Sequence, residues 1–193
     1  MKQTTIRKLP RMTHTWVKLV GTAIITLSSL LVNYTACHTS NPADLYVQAW
    51  FTPQDPCIDL IVAKILSAKT SILVQAYVIT SYDIAKALIQ AHQNRVKVQL
   101  LIDKDAQTTK GSKVGLLLRH GIPIIIDKTV GYAHNKVMII DDAYVITGSF
   151  NWTHGAQTRN AENLLIITGE KINRQFKNNW YLRAAAGQRL RIG

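Results

Sequence analysis

Residues 134–151 read H-N-K-V-M-I-I-D-D-A-Y-V-I-T-G-S-F-N. Side chains alternate faces along an extended chain, so a strand over 134–140 puts His134 and Lys136 on one side and Asn135, Val137 and Ile139 on the other. An imidazole beside an ammonium is a poor structural pair, because the two repel once the ring is protonated. A phosphate between them changes that. The ammonium holds a phosphate oxygen and the imidazole is placed to attack phosphorus. Ser149 and Asn151 share one parity on the next extended stretch and offer hydroxyl and amide donors without adding charge. Gly148 lets the backbone come close to a ligand or bend sharply.

Each residue has a bland reading when taken alone. A single histidine in a strand is commonly a satisfied core or surface residue, a single lysine is solvated, and Asp141 reads as a turn residue. Together, H-x-K-x4-D-x6-G-S-x-N sets six residue types at set positions, far beyond chance in 193 residues. The run resembles the H-x-K-x4-D signature of the phospholipase D superfamily with its G-S-x-N extension. It is most similar to the short bacterial endonuclease branch, whose members carry the signature once. The likeness extends from about Leu45 to about Arg183. It includes Ser67-Ala68-Lys69-Thr70-Ser71-Ile72, Gly148-Ser149-Phe150-Asn151-Trp152-Thr153 and Asn160-Ala161-Glu162-Asn163.

The resemblance implies roles position by position. His134 corresponds to the histidine that forms a phosphohistidine intermediate. Lys136 and Asn151 correspond to the phosphate-binding lysine and asparagine, and Ser149 to the neighbouring hydroxyl. Glu162 corresponds to a buried glutamate that orients the histidine. That role has an independent rationale, since a nucleophilic imidazole needs its far nitrogen held by an acceptor. Asp141 is expected to order a hairpin rather than touch substrate. The chemistry needs two histidines, one to attack and one to protonate the leaving oxygen and then activate water. Only His134 is followed by lysine two positions on; His14, His38, His92, His120 and His154 are not. The family arrangement is a homodimer whose two motifs meet at a two-fold axis. The alternative within one chain is His154 as the acid. No Cys/His/carboxylate cluster calls for a metal, and no cofactor is implied.

The elements that position these groups follow from pattern. Strands are expected at Leu45–Phe51, Ser71–Ile79, Val96–Asp103, Ile122–Asp127, His134–Ile140, Ala143–Thr147 and Asn163–Thr168. Helices are expected at Ile58–Ala68, from a Ser81 cap to Gln93, at Lys110–His120 closed by Gly121, and at Lys171–Ala185. The turn at Asp141-Asp142 joins the two motif strands. Strands alternating with helices and ending in a hairpin predict an α/β fold, a mixed sheet flanked by helices on both faces.

The N-terminus is separate. Lys2, Arg7, Lys8, Arg11 and Lys18 precede a chargeless run from Leu19 to Cys37 whose apolar part ends at Val32. A basic stretch before a short apolar stretch is the layout of an export segment. Residues 1–37 are therefore expected to be a signal peptide or membrane anchor, 38–44 a linker, and 45–193 the phosphodiesterase domain. Three fates compete for the first segment: cleavage, retention as an anchor through residues 19–36, and lipidation at Cys37. Export would also allow Cys37 and Cys57 to pair.

The chain carries 23 Lys and Arg against 11 Asp and Glu, a formal charge of +12. Removing residues 1–36 leaves 18 against 11, so the domain itself is basic. That favours a polyanionic partner. The first reading is an exported nuclease on DNA or RNA, with Lys104, Lys110, Lys113, Lys128 and Arg159 near the motif. The second is a phospholipase D on membrane lipid. The third is a membrane-held nucleic-acid-binding protein without activity, against which the complete residue set argues.

Overall fold

The computed structural model describes residues 45–129 and 131–191. The expected export segment, the linker and Cys37 lie outside the described residues. Eight strands form one sheet: β1 (Tyr46–Phe51), β2 (Ser71–Ala76), β3 (Lys97–Asp103), β4 (Ile124–Asp127), β5 (Lys136–Ile140), β6 (Tyr144–Gly148), β7 (Asn163–Thr168) and β8 (Gln188–Arg189). Among the described residues five helices accompany them: α1 (Cys57–Ser67), α2 (Tyr82–Gln93), α3 (Val114–Arg119), α4 (His154–Thr158) and α5 (Glu170–Ala186). The strand order is β1-β7-β6-β5-β2-β3-β4-β8. β2, β3 and β4 run parallel, and every other neighbouring pair is antiparallel. This is the mixed α/β sheet expected.

Each face of the sheet has its own core. Helices α1, α2 and α3 cover the face lined by Ile72, Val74, Leu100, Ile102, Met138 and Ile140. Helix α5 covers the other through Trp180, against Leu73, Leu101, Val137, Ile139 and Val145. Cover on both sides explains why β2 and β3 read as near-continuous apolar runs rather than alternating ones. Two indoles clamp β2 from opposite faces. Trp152 Nε1 donates to Gln75 O and Trp180 Nε1 to Val74 O, each at 3.0 Å.

Local chemistry sets the boundaries. Ser81 Oγ accepts from Ile84 N and caps α2 as expected. The helix expected from Lys110 starts only at Val114, because Gly111 has φ +80° and Ser112 Oγ is committed to Ala106 O. The strand expected from His134 starts at Lys136, since the β2–β5 ladder ends at the Ala76–Lys136 pair. The strand expected to reach Ile79 ends at Ala76 for the same reason. Helix α4 and strand β8 were not anticipated; both are too short to carry a periodic pattern. Cys57 is fully buried in the first turn of α1, and burial, reinforced by Asp55, pushes its thiol pKa up.

Candidate active site

The site forms where β5 begins, β6 ends and β7 begins. A cavity of about 450 Å³ there is lined by His134, Asn135, Lys136, Thr147, Gly148, Ser149, Asn151 and Glu162. All the residues expected to touch substrate therefore meet in one place. Asp141 sits at the far end of the hairpin and does not line it.

His134 is exposed, just ahead of β5, whereas Lys136 is only 6% exposed. Lys136 Nζ lies 2.9 Å from His134 Nδ1 and 3.1 Å from Nε2, and donates to His134 O at 2.6 Å. Among the described residues no carboxylate lies within ion-pair distance of Lys136. Burial lowers its pKa from the ordinary lysine value, and the negative charge of Glu162 opposes that shift. The ammonium is thus desolvated and short of an anion, the condition under which an entering phosphate is bound strongly.

Ser149 and Glu162 are tied to each other. Ser149 Oγ donates to Glu162 Oε2 at 2.5 Å and accepts from Asn163 N at 3.0 Å. Asn160 Nδ2 donates to Glu162 Oε1 at 2.8 Å. Among the described residues of one chain no hydrogen bond joins Glu162 to His134, and Glu162 is half-buried. Its backbone is gripped from the end of β1, where Thr52 N donates to Glu162 O and Glu162 N donates to Thr52 Oγ1, both at 3.1 Å.

Gly148 makes this junction possible. Its φ is +146°, and a Cβ there would lie 2.3 Å from Asn163 O. Beyond it the chain alternates, with Phe150 and Trp152 fully buried while Ser149 and Asn151 face the cavity. Asn151 Oδ1 is buried without a hydrogen-bond partner.

Asp141 ties the hairpin to the segment before β2. With Asp142 it makes a turn in which both residues have φ +55° and Ala143 N donates to Ile140 O at 3.0 Å, a backbone twist that suits the flanking strands. Its carboxylate accepts from Lys69 N at 2.7 Å, Thr70 N at 2.8 Å, and Thr70 Oγ1 and Ser71 N at 2.9 Å. Partial burial alone would raise its pKa; the hydrogen bonds from Ser71, Thr70 and Lys69 outweigh that, and the net shift is downward.

His154 lines a different cavity, with Asp59, Asp83 and Gln157, and not the one holding His134. Among the described residues no group of three His, Cys, Asp or Glu side chains forms a metal-binding cluster. Several positioning groups lie outside the motif. The Tyr77 ring lies 4.4 Å from the His134 ring between centroids. Asp103, 1% exposed at the end of β3, accepts from Ala133 N at 2.6 Å and so holds the approach to His134. An acid closing an apolar strand was the one available hint for Asp103. For Tyr77 and Thr52 there was none, because both act through strand register.

A family model described as "Cardiolipin synthase, PLD-like domain" matches residues 61–180. Phospholipase D of Rickettsia prowazekii is 37% identical over 171 residues, covering 89% of this chain and 82% of that protein. Mitochondrial cardiolipin hydrolase of Canis lupus familiaris is 37% identical over 112 residues, or 58% of this chain and 44% of that one. The crystal structure of Nuc, a phospholipase D family member from Salmonella typhimurium, aligns with a TM-score of 0.72 at 36% identity, covering 77% of this chain and all of that one. The likeness spans the sheet and the cavity together, and the chain belongs to the phospholipase D superfamily as one of its phosphodiesterases.

Proposed function

We propose that this phosphodiesterase is an exported endonuclease that cleaves DNA or RNA through a covalent phosphohistidine on His134, without a metal. The observation that carries the chemistry is the buried Lys136 ammonium against the His134 ring, with no carboxylate in contact among the described residues. A phosphodiester entering the cavity gives Lys136 its missing anion, with Asn151 and Ser149 as further donors. A ring nitrogen of His134 attacks phosphorus, an N–P bond forms and the bond to the leaving oxygen breaks. A second histidine delivers a proton to that oxygen. Water then attacks the phosphohistidine, giving its proton to the same second histidine as the N–P bond breaks.

His134 is the one histidine lining the cavity among the described residues. The second histidine in this reading is His134 of another copy, which makes the active form a homodimer with the two cavities facing. Glu162 then orients a histidine across that junction or after rearrangement of its Ser149 bond. The basic domain favours nucleic acid as the polyanion. The basic and apolar stretch before residue 38 supports export, with or without retention at a membrane.

A second reading is hydrolysis of phospholipid headgroups, favoured by the names of two relatives, phospholipase D and mitochondrial cardiolipin hydrolase. One panel separates the two: full-length protein in EDTA with plasmid DNA, RNA and phosphatidylcholine vesicles. The nuclease reading expects nicking of nucleic acid that His134→Ala abolishes, with phosphate trapped on His134 in denatured samples. Headgroup release without nucleic-acid cleavage would establish the lipid reading instead. Loss of all activity in EDTA, restored by a divalent ion, would overturn the metal-free route.

A further inference from the structure

Three aromatic rings run outward from the nucleophile. The His134 ring packs on Tyr77 at 4.4 Å between centroids, tilted by 52°. Tyr77 meets Tyr132 edge-on at 6.3 Å and 83°. Tyr132 is 65% exposed, and Lys104 Nζ sits 5.5 Å from its ring centre. The other exposed tyrosines, Tyr46, Tyr82 and Tyr181, lie on β1, α2 and α5, and none has a ring contact with Tyr77 or His134. Lys104 lies over one face of the ring and Tyr77 meets it edge-on, yet most of Tyr132 still faces solvent, where an exposed aromatic ring gains little from folding.

The two loops presenting these groups are fastened by one buried carboxylate. Asp103 Oδ2 accepts from Ala133 N at 2.6 Å, beside Tyr132, and Asp103 Oδ1 accepts from Asp105 N at 2.9 Å, beside Lys104. Tyr132 and Lys104 are therefore set relative to each other and to His134. A flat apolar ring with a cation over one face, one ring beyond a phosphate-cleaving histidine, matches the repeat of a single-stranded nucleic acid: base, phosphate, base. A lipid headgroup has one phosphodiester and no base for the ring to stack on.

We propose that Tyr132 and Lys104 form a subsite for the nucleotide adjoining the scissile phosphate, with the base stacked on Tyr132 and the next phosphate held by Lys104. This rests on the nuclease reading and goes further, naming a single-stranded substrate and the residues that grip it. Sequence preference is weak, since every base has a face to stack.

The test uses full-length protein and a single-stranded DNA oligonucleotide with one phosphodiester among phosphorothioate linkages. A second oligonucleotide lacks the bases flanking that linkage. Tyr132→Ala is expected to raise KM on the base-bearing strand by about 5- to 100-fold. The wild-type-to-variant ratio should shrink toward one on the abasic strand, and Tyr132→Phe and Tyr132→Trp should keep most of the wild-type KM. Lys104→Gln should flatten the salt dependence of KM. Equal losses on both strands, or none, while wild type still cuts DNA, would overturn the subsite and leave the nuclease standing. Wild-type protein that cuts no nucleic acid and releases headgroup from phosphatidylcholine vesicles would overturn both.

Discussion

Ser149 Oγ donates to Glu162 Oε2 at 2.5 Å across the β6–β7 junction, so the hydroxyl and the carboxylate act as one unit. Glu162 also raises the pKa of Lys136 against the effect of burial. Glu162→Gln should therefore lower kcat by about 10- to 100-fold, the worth of a charge-assisted hydrogen bond. It should also move the alkaline limb of the pH–rate profile to lower pH, because Lys136 loses the charge that helps keep it protonated. A kcat loss with an unmoved limb would separate Glu162 from Lys136. Ser149→Ala should cost about 1 kcal/mol of stability, read as a lower midpoint in urea unfolding.

Lys136 makes stability and activity pull in opposite directions. Its folded pKa lies below the unfolded value of 10.5, with burial the main cause. The unfolded state then holds the proton more tightly, so the penalty is present in full below the folded pKa. It is relieved as pH rises through the folded pKa toward 10.5. In the proposed mechanism the charged form holds the phosphate, so activity should fall over the same window. Lys136→Met is expected to stabilise the protein by about 1 kcal/mol at neutral pH. Phosphodiester turnover should drop by about 100- to 1,000-fold. Thermal unfolding and turnover measured across pH 6–11 on both proteins check this.

Asp141 should matter to stability and not to substrate. Its folded pKa is depressed below 3.8, so its contribution is fully present above pH 3.8 and is lost as pH falls through the folded value. Asp141→Asn keeps a residue that tolerates φ +55° but loses the charge, and should cost about 1–2 kcal/mol. Asp141→Ala loses both and should cost about 2–4 kcal/mol. Acid unfolding of the two variants should lack the wild-type dependence below pH 4, while KM for the phosphodiester substrate stays at the wild-type value. A changed KM would place Asp141 in contact with substrate.

Gly148→Ala places a methyl group 2.3 Å from the Asn163 carbonyl oxygen, at a φ that side chains rarely adopt. The β6–β7 junction must open to admit it. The expected cost is about 2–3 kcal/mol of stability. Displacement of Ser149 by even 1 Å should lower kcat by about 100-fold. Full activity would show that the junction does not set the Ser149 position.

The chemical inventory was legible in the one-dimensional pattern. His134, Lys136, Ser149 and Asn151 are placed by two short stretches whose side-chain parity is a local property, and the cavity collects all four. The mixed sheet with two covered faces was legible too, because burial on both sides writes itself into β2 and β3 as unbroken apolar runs. Asp141 was readable as a turn residue, but its reach to Lys69, Thr70 and Ser71 was not, since those partners are about 70 residues away.

What tertiary structure alone decided is how the groups face one another. Glu162 meets Ser149 through the β6–β7 register, and the Thr52 grip on Glu162 comes from the residue after β1, more than 100 positions earlier. Tyr77 reaches the His134 ring because β2 pairs with β5 at Ala76 and Lys136. Strand register is set by the packing of whole faces against helices, and no short stretch of sequence encodes it. The residue types that suit His134 and its neighbours to phosphodiester chemistry are therefore local information, whereas their separations, burial and hydrogen bonding belong to the assembled sheet.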